Sequence, residues 1–190
     1  MKYIDKTQTS TYEVKQSKFI AYLTPFHEFK KRLEQLKQEH PKARHFVVAY
    51  RYLNEFNQTI EYSSDDGEPK GTSGRPSLMV LQGSSLINLA VIIVRYFGGT
   101  KLGTGGLVRA YSESVNKVIK ISTLIEYKKE KESKISFSHS SIRKVDYECE
   151  VLKIDIIKKV FDLEVTYTIK TDEISIKSLE KNLDRLITIS

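Results

Sequence analysis

The stretch that decides the fold is LAVIIVRYFGGTKLGTGGLVRAYSESVNKVIKI, residues 89–121. Its first six residues form an uninterrupted apolar run, which is typical of a strand buried on both faces. After the glycines, residues recur at helical spacing and predict one inward stripe, made of Leu107, Ala110, Tyr111, Ser114, Val115 and Val118. The opposite face carries Arg109, Glu113, Asn116, Lys117 and Lys120. We therefore predict a buried strand, a glycine loop and an amphipathic helix.

Upstream of this stretch, the sequence predicts three more strands and two helices. Aromatic and β-branched residues indicate strands at residues 19–23, 45–51 and 59–63. Between the first two strands, Phe26, Phe29, Leu33 and Leu36 recur at helical spacing. We expect Thr24 to cap this helix and Pro76 to open a short second helix.

Downstream, the sequence predicts a second, smaller domain. The charged run at residues 126–134 is typical of a solvated connector or the edge of the next strand, so we assign domains at residues 1–128 and 129–190. The second domain shows the order β-α-β-β-α, with Leu179, Leu183 and Leu186 expected to face inward on its final helix. This order is most of a ferredoxin-like unit, with the last strand short or absent. The predicted fold class is α+β with two domains.

Composition limits the functional classes. No run approaches the roughly 20 apolar residues of a membrane helix, and the first residues lack the apolar core of a signal peptide, so we expect a cytoplasmic protein without membrane contact. The single cysteine, Cys149, excludes an intramolecular disulfide and is expected in the core. The net charge of +7 and the isoelectric point near 9.3 favour a polyanionic partner.

The glycine loop is the strongest candidate for a binding site. Its glycines allow backbone amides to point into one concavity, and the following helix begins with a partial positive charge, which suits phosphate or carboxylate. The candidate nucleic-acid or anion-binding residues are Arg95, Tyr96, Gly98, Gly99, Lys101, Gly103, Gly105, Gly106, Arg109 and Lys117. The pattern is neither a P-loop nor a dinucleotide fingerprint. The structural alternative is a tight strand-to-helix turn that packs against the domain.

The acidic loop at residues 65–69 is the second candidate. Asp65, Asp66 and Glu68 could bind Mg²⁺ or act as acid and base groups. In the structural alternative, Asp65 or Asp66 caps the turn and pairs with Arg75, Arg95 or Lys101. We assign no catalytic residue, no metal ligand and no cofactor.

Two segments carry a family resemblance. YSSDDGEPKGTSGRPSL, residues 62–78, and IIVRYFGGTKLGTGGLVRAYS, residues 92–112, resemble the signature stretches of the YigZ/IMPACT family. The resemblance implies a first domain of the ribosomal-protein-S-five domain-two-like α/β sandwich type. It also implies a second domain of the ferredoxin-like type, similar to a terminal domain of elongation factor G. Both types recur in proteins that touch RNA or ribosomes.

Three hypotheses for function follow. The first is a translation-associated regulatory protein that binds RNA, the ribosome or a translation factor through the glycine loop and the basic helix face. The second is an enzyme acting on a small phosphorylated or carboxylated substrate at the acidic loop. The third is an adaptor whose basic surface meets an acidic protein. Eukaryotic relatives restrain phosphorylation of an initiation factor by means of an additional N-terminal domain, so we do not expect their specific partner here.

Overall fold

The structure is a computed structural model that describes residues 1–190 throughout, and the chain divides into two compact units, Met1–Tyr127 and Lys128–Ser190. In the first unit the strands are β1 Lys2–Tyr3, β2 Gln8–Val14, β3 Ser17–Pro25, β4 His45–Leu53, β5 Thr59–Ser64, β6 Leu89–Tyr96 and β7 Ile125–Glu126. Its helices are α1 Phe29–Glu39, α2 Gly74–Gly83 and α3 Thr104–Ile121. No helix of the chain combines the length and the apolar composition needed to cross a membrane.

The core of the first unit is a five-stranded antiparallel sheet in the order β2-β3-β6-β4-β5, and β1 and β7 form a separate pair. Strand β6 is buried on both faces, as its apolar run predicts. Val91 and Ile93 belong to the core under α2 and α3, whereas Ile92 and Val94 belong to the core under α1. Both faces of the central sheet are therefore covered by helices.

Helix α3 confirms the predicted stripe. All six residues of that stripe are buried, and all five residues predicted on the opposite face are exposed. The Phe19 ring of β3 meets the Tyr111 ring edge-on, with 5.0 Å between the ring centres. The helix thus packs its apolar face on the sheet and leaves its charged face to solvent.

Several details of the first unit differ from the sequence predictions. Strand β2 was not predicted, because QTSTYEV contains few apolar residues and lies at the sheet edge. Thr24 does not cap α1: its hydroxyl lies 2.8 Å from the Thr7 hydroxyl, and a 3₁₀ turn at Phe26–Glu28 precedes the helix. Helix α2 begins at Gly74, two residues before Pro76.

The second unit contains β8 Glu130–Phe137, α4 Ile142–Val151, β9 Asp155–Phe161, β10 Val165–Asp172, α5 Glu173–Leu183 and β11 Ile187–Ile189. The sheet is antiparallel in the order β11-β8-β10-β9, which is the ferredoxin-like arrangement. The last strand is present but only three residues long, in agreement with the prediction. Leu186 was predicted to face inward and is instead 41% exposed, because it lies in a 3₁₀ turn after α5. Cys149 is buried as expected.

Candidate nucleic-acid interface

The glycine loop, residues 97–103, joins β6 to the first turn of α3. Its Gly98 amide donates a hydrogen bond to the Ser17 hydroxyl, with 3.1 Å between nitrogen and oxygen. The backbone amides of residues 99–106 donate hydrogen bonds to no group of the protein, and no side chain caps the start of α3. Because the first amides of a helix carry partial positive charge, this segment presents unpaired donors where an anion would be favoured.

Gly98 and Gly105 of this segment differ in the space available for a side chain. A Cβ atom at Gly98 would lie 2.0 Å from the carbonyl carbon of Gln16, so the turn between β2 and β3 packs directly on the loop backbone. A Cβ atom at Gly105 would meet nothing within 4 Å. The packing interpretation therefore explains Gly98, whereas the space beside Gly105 remains open at the start of α3.

The other glycines of the loop and of the first turn of α3 allow the backbone to bend or to pack closely. Gly99 and Gly103 have φ angles of 84° and 73°, a region that favours glycine. A Cβ atom at Gly106 would lie 3.1 Å from that of Leu102. The loop is thus bent by Gly99 and Gly103 and closely packed at Gly98.

Four cations extend from this loop along α3: Lys101, Arg109, Lys117 and Lys120. All four are exposed, and none forms a salt bridge. The Lys117 ammonium lies 5.0 Å from the centre of the Tyr12 ring. Residues 1–127 carry six of the seven net positive charges of the chain. Unpaired amides and unpaired cations therefore share one exposed surface, which we call the α3 surface.

Arg95 lies apart from the α3 surface, whereas the sequence analysis groups it with the loop cations. Its side chain is only 8% exposed, and its Nη1 donates to Glu68 Oε1 over 2.5 Å. Tyr111 donates its hydroxyl to the same oxygen over 2.8 Å. Burial, assisted by the Glu68 carboxylate, raises the pKa of Tyr111 far above its ordinary value, so this phenol stays protonated as a donor. The charge of Arg95 is held by an internal ion pair.

Asp65 organises the acidic loop. One carboxylate oxygen accepts the amides of Ser73 and Gly74 and the Ser73 hydroxyl, and the other accepts the Gly71 amide. Burial alone would raise the pKa of Asp65, but these hydrogen bonds hold it below its ordinary value. Asp65 thereby fixes the loop and the start of α2, as the structural alternative anticipated for one of the two aspartates.

The other two carboxylates of the acidic loop have different partners. Asp66 accepts the Phe46 amide over 2.6 Å, and Glu68 accepts from Arg95 and Tyr111. Arg75 and Lys101 form no ion pair with the loop, so Arg95 is the cation that joins it, through Glu68 rather than through an aspartate. The three carboxylates do not gather into a group that could hold a metal ion. This geometry argues against the acidic loop as a Mg²⁺ site.

Tyr96 is half-buried rather than free to stack. Its hydroxyl lies 2.9 Å from Nδ1 of His40, whose Nε2 lies 3.0 Å from the Tyr22 hydroxyl. Phe97, the next residue, is 57% exposed. Of these two adjacent aromatic residues, Phe97 has the accessible ring.

Sequence reasoning missed four exposed cations close to β6. Lys15 lies in the β2–β3 turn that packs on Gly98, and Lys18 follows this turn in β3. Lys42 and Arg44 precede β4, whose first residue pairs with Arg95. The run PKARH at residues 41–45 was the available signal. Only the strand pairing brings it next to the end of β6.

Comparison with known proteins identifies the family. The Impact N-terminal domain matches residues 15–119. An IMPACT family member of Haemophilus influenzae is 35% identical over 175 residues, which cover 90% of this chain and 84% of that protein. The chain belongs to the IMPACT family. The resemblance carried by residues 62–78 and 92–112 is thereby confirmed.

Two other IMPACT relatives align over shorter regions. YigZ of Escherichia coli is 42% identical over 112 residues, and YvyE of Bacillus subtilis is 38% identical over 118 residues. These alignments cover 57% and 60% of this chain, and the chain spans 54% of the length of each relative.

One solved structure shares the fold of nearly the whole chain. The crystal structure of a hypothetical protein aligns with a TM-score of 0.66 and 28% identity, covering 99% of this chain and 95% of that one. The two-domain translational regulator Yih1 aligns with a TM-score of only 0.35 and 18% identity, over 64% of this chain and 47% of that one. That alignment is too weak to support any argument about this chain.

Proposed function

We propose that this IMPACT protein is a translation-associated regulator that binds RNA through the α3 surface. The observation that carries the proposal is the coincidence of unpaired amides at residues 99–106 with unpaired cations at Lys101, Arg109, Lys117 and Lys120. RNA phosphates are the anions that such a surface fits best, because they recur along a chain as the cations recur along the helix. Binding would release counterions from the RNA and would therefore weaken with salt.

The helix geometry supports an extended contact. Arg109, Lys117 and Lys120 project from one exposed face of an 18-residue helix and extend along about 17 Å of it at the ordinary rise per residue. A contact of this length would touch several successive phosphates. Neutralising several phosphates at once is the usual source of affinity for RNA without strong sequence preference.

The translational part of the proposal depends on the family. The resemblance implies domain types that recur in proteins touching RNA or ribosomes, and an RNA-binding surface is consistent with such a role. A ribosomal partner would require a cytoplasmic location. An acidic protein remains the alternative occupant of the α3 surface, and the test below separates it from RNA.

The test is fluorescence anisotropy of the full chain with a labelled single-stranded RNA bearing a 5′-hydroxyl, at several salt concentrations. The variant Lys101→Ala/Arg109→Ala removes two cations and should reduce the magnitude of the slope of log affinity against log salt by about 1.4 for a single strand. The matched control is Arg143→Ala/Lys144→Ala, which removes the same two residue types from exposed positions on α4. Equal affinities and slopes for both variants and the wild type would refute the proposal. Salt-dependent binding to an acidic protein, with no binding to RNA, would favour the adaptor.

The enzymatic hypothesis gains no support from the acidic loop. Asp65 accepts four hydrogen bonds that fix the backbone, and Glu68 is occupied by a buried arginine and a buried tyrosine. A carboxylate that acts as a base needs an open approach for the proton that it removes. Neither carboxylate has such an open approach, so we favour a structural function for the acidic loop.

A further inference from the structure

A second basic feature of the first unit is a cleft of about 380 Å³ at one end of the sheet. It is lined by Lys42, Arg44, His45, Arg95, Tyr96 and Phe97. These residues meet because β4 begins where β6 ends, with His45 paired to Arg95 across the two strands. The volume falls within the range of sites that bind small molecules. We call it the β4–β6 cleft.

The β4–β6 cleft has more positive than negative charge. Lys42 and Arg44 are exposed and form no salt bridge. The Glu68 carboxylate neutralises the charge of Arg95. The nearby Asp66 carboxylate accepts a hydrogen bond from the Phe46 amide and forms no ion pair. Two cations at the mouth of the cleft are therefore left without a counterion from the protein.

One of the residues that line the cleft, Arg95, has an unsatisfied donor. The Arg95 side chain is more than nine-tenths buried, and Nη1 is its single nitrogen with a hydrogen-bond partner in the protein. Its Nε is buried without any acceptor. Buried donors in folded proteins almost always have partners, because leaving one unpaired costs free energy. Arg95 therefore adds donors that the protein leaves unused to a cleft already lined by two unpaired cations, and an anion would complement this lining.

An aromatic ring lies beside these cations. The Phe97 ring centre is 5.9 Å from Cζ of Arg95, and the side chain is 57% exposed. The ring can therefore contact the guanidinium and still offer surface to a planar group. His45 donates Nδ1–H to the Asp66 carbonyl over 2.8 Å, which leaves Nε2 as its free ring nitrogen. The site thus combines charge for a phosphate with a surface for a base.

We propose that the β4–β6 cleft binds the terminal phosphate of a nucleoside phosphomonoester. Lys42 and Arg44 would pair with the phosphate, and Phe97 would stack on the base. The same chemistry is offered by a free 5′-mononucleotide and by the 5′-phosphorylated end of an RNA chain. The proposal does not depend on the RNA contact at the α3 surface, because none of the four cations of that surface lines the cleft.

The first test compares ligands on the full chain by isothermal titration and thermal unfolding. The probes are uridine 5′-monophosphate, adenosine 5′-monophosphate, the matching nucleosides and inorganic phosphate. Mononucleotides should bind and raise the melting temperature, since a ligand that binds the folded state stabilises it. Nucleosides should bind at least about tenfold more weakly, as expected for losing one charged hydrogen bond. No binding of either mononucleotide at millimolar concentration, together with no binding of a 5′-phosphorylated RNA in preference to its 5′-hydroxyl form, would overturn the proposal.

The second test assigns binding to the cleft. Lys42→Ala/Arg44→Ala should weaken mononucleotide binding about tenfold or more, whereas the Arg143→Ala/Lys144→Ala control should leave it unchanged. Phe97→Ala should weaken binding of mononucleotides but not of inorganic phosphate, because it removes only the stacking surface. Unchanged mononucleotide affinity in Lys42→Ala/Arg44→Ala would refute the assignment. Retained melting temperatures of the unliganded variants establish that they fold.

The source of the phosphate is separated with two short RNAs that differ only at the 5′ end. Tighter binding of the 5′-phosphorylated RNA than of the 5′-hydroxyl RNA would identify the ligand as an RNA terminus, whereas mononucleotide binding with equal affinity for the two RNAs would identify a free nucleotide. Lys101→Ala/Arg109→Ala should leave mononucleotide binding unchanged while weakening the 5′-hydroxyl RNA. The two proposals can therefore fail independently.

Discussion

Arg95 and Glu68 form a buried ion pair beneath α3, although the two residues are separated by 27 positions in the chain. Tyr111 closes the group by donating to the same carboxylate oxygen. The three residues come from β6, the acidic loop and α3, so this group ties together the two segments that carry the family resemblance. The pair fixes the acidic loop under the helix that carries the α3 surface.

Removing one member of this pair should destabilise the fold strongly. Glu68→Gln leaves the buried Arg95 guanidinium without a counterion, and we expect it to lower the free energy of unfolding by about 3 kcal/mol or more. Urea unfolding followed by circular dichroism measures this loss. The exposed Glu113→Gln should change stability by less than about 0.5 kcal/mol. A loss from Glu68→Gln as small as that of the control would contradict the role of the pair.

Removing both charges should be less damaging than the two single losses together. Arg95→Met in the Glu68→Gln background eliminates the uncompensated charge, so the double variant should lose less stability than the sum of Glu68→Gln and Arg95→Met. The double-mutant cycle measures this coupling by urea unfolding. Additive losses would show that the two side chains stabilise the fold independently.

The fold was largely predictable because α3 and β6 have unambiguous patterns. The stripe from Leu107 to Val118 has helical spacing, and the apolar run of β6 has no polar interruption. Strand β2 escaped prediction because its seven residues alternate between exposed and half-buried positions and contain only Tyr12 and Val14 as large apolar groups. Its strand conformation depends on pairing with β3, which local sequence does not reveal.

The candidate site was predictable from the sequence only where it depends on residues close together in the chain. The exposure of Lys101, Arg109 and Lys117 follows from their positions in the loop and on one helix. The burial of Arg95 does not, because it depends on Glu68 from a distant loop. A strand-end arginine in the sequence is equally compatible with an internal pair and with an exposed contact. The same limit hid Lys42 and Arg44, which reach β6 only through the β4–β6 pairing.

Asp65→Asn should destabilise the protein in a pH-dependent way. The asparagine keeps one acceptor oxygen, but its NH₂ group faces a backbone N–H that is then left without an acceptor, and we expect a loss of about 1–2 kcal/mol at pH 7. Because the folded state holds the pKa of Asp65 below its ordinary value, the ionised carboxylate stabilises the fold at pH values above that ordinary value. This contribution disappears as the pH falls through the folded-state pKa.

The difference between wild type and Asp65→Asn should therefore be constant near neutral pH and shrink below about pH 4. Unfolding midpoints in urea across this pH range measure the difference. The exposed Asp5→Asn serves as the control and should give nearly the same stability as wild type at every pH. A constant difference for Asp65→Asn down to the acid limit would show that the charge of Asp65 is unimportant.

Gly98→Ala should disrupt the glycine loop. The new methyl group would overlap the backbone of Gln16 and Ser17, and backbone atoms cannot move aside as a flexible side chain can. We expect a loss of about 2 kcal/mol or more in the free energy of unfolding. Ser17→Ala removes only the hydroxyl that accepts from the Gly98 amide, and should cost about 1 kcal/mol. Thermal unfolding of both variants tests whether close packing outweighs the hydrogen bond.

Substitutions at Gly105 can test RNA binding without disrupting the fold, because a side chain at this position would meet no neighbouring atoms. Gly105→Ala should raise the free energy of unfolding by about 0.5–1 kcal/mol, since alanine favours a helix more than glycine does, and should leave RNA affinity nearly unchanged. Gly105→Asp should also be tolerated, because an acidic residue is favourable in the first turn of a helix. Its carboxylate would nevertheless occupy the position proposed for a phosphate, so RNA affinity should fall at least about tenfold at low salt. Wild-type RNA affinity in a folded Gly105→Asp protein would exclude the start of α3 from the RNA contact, even if the basic helix face still binds.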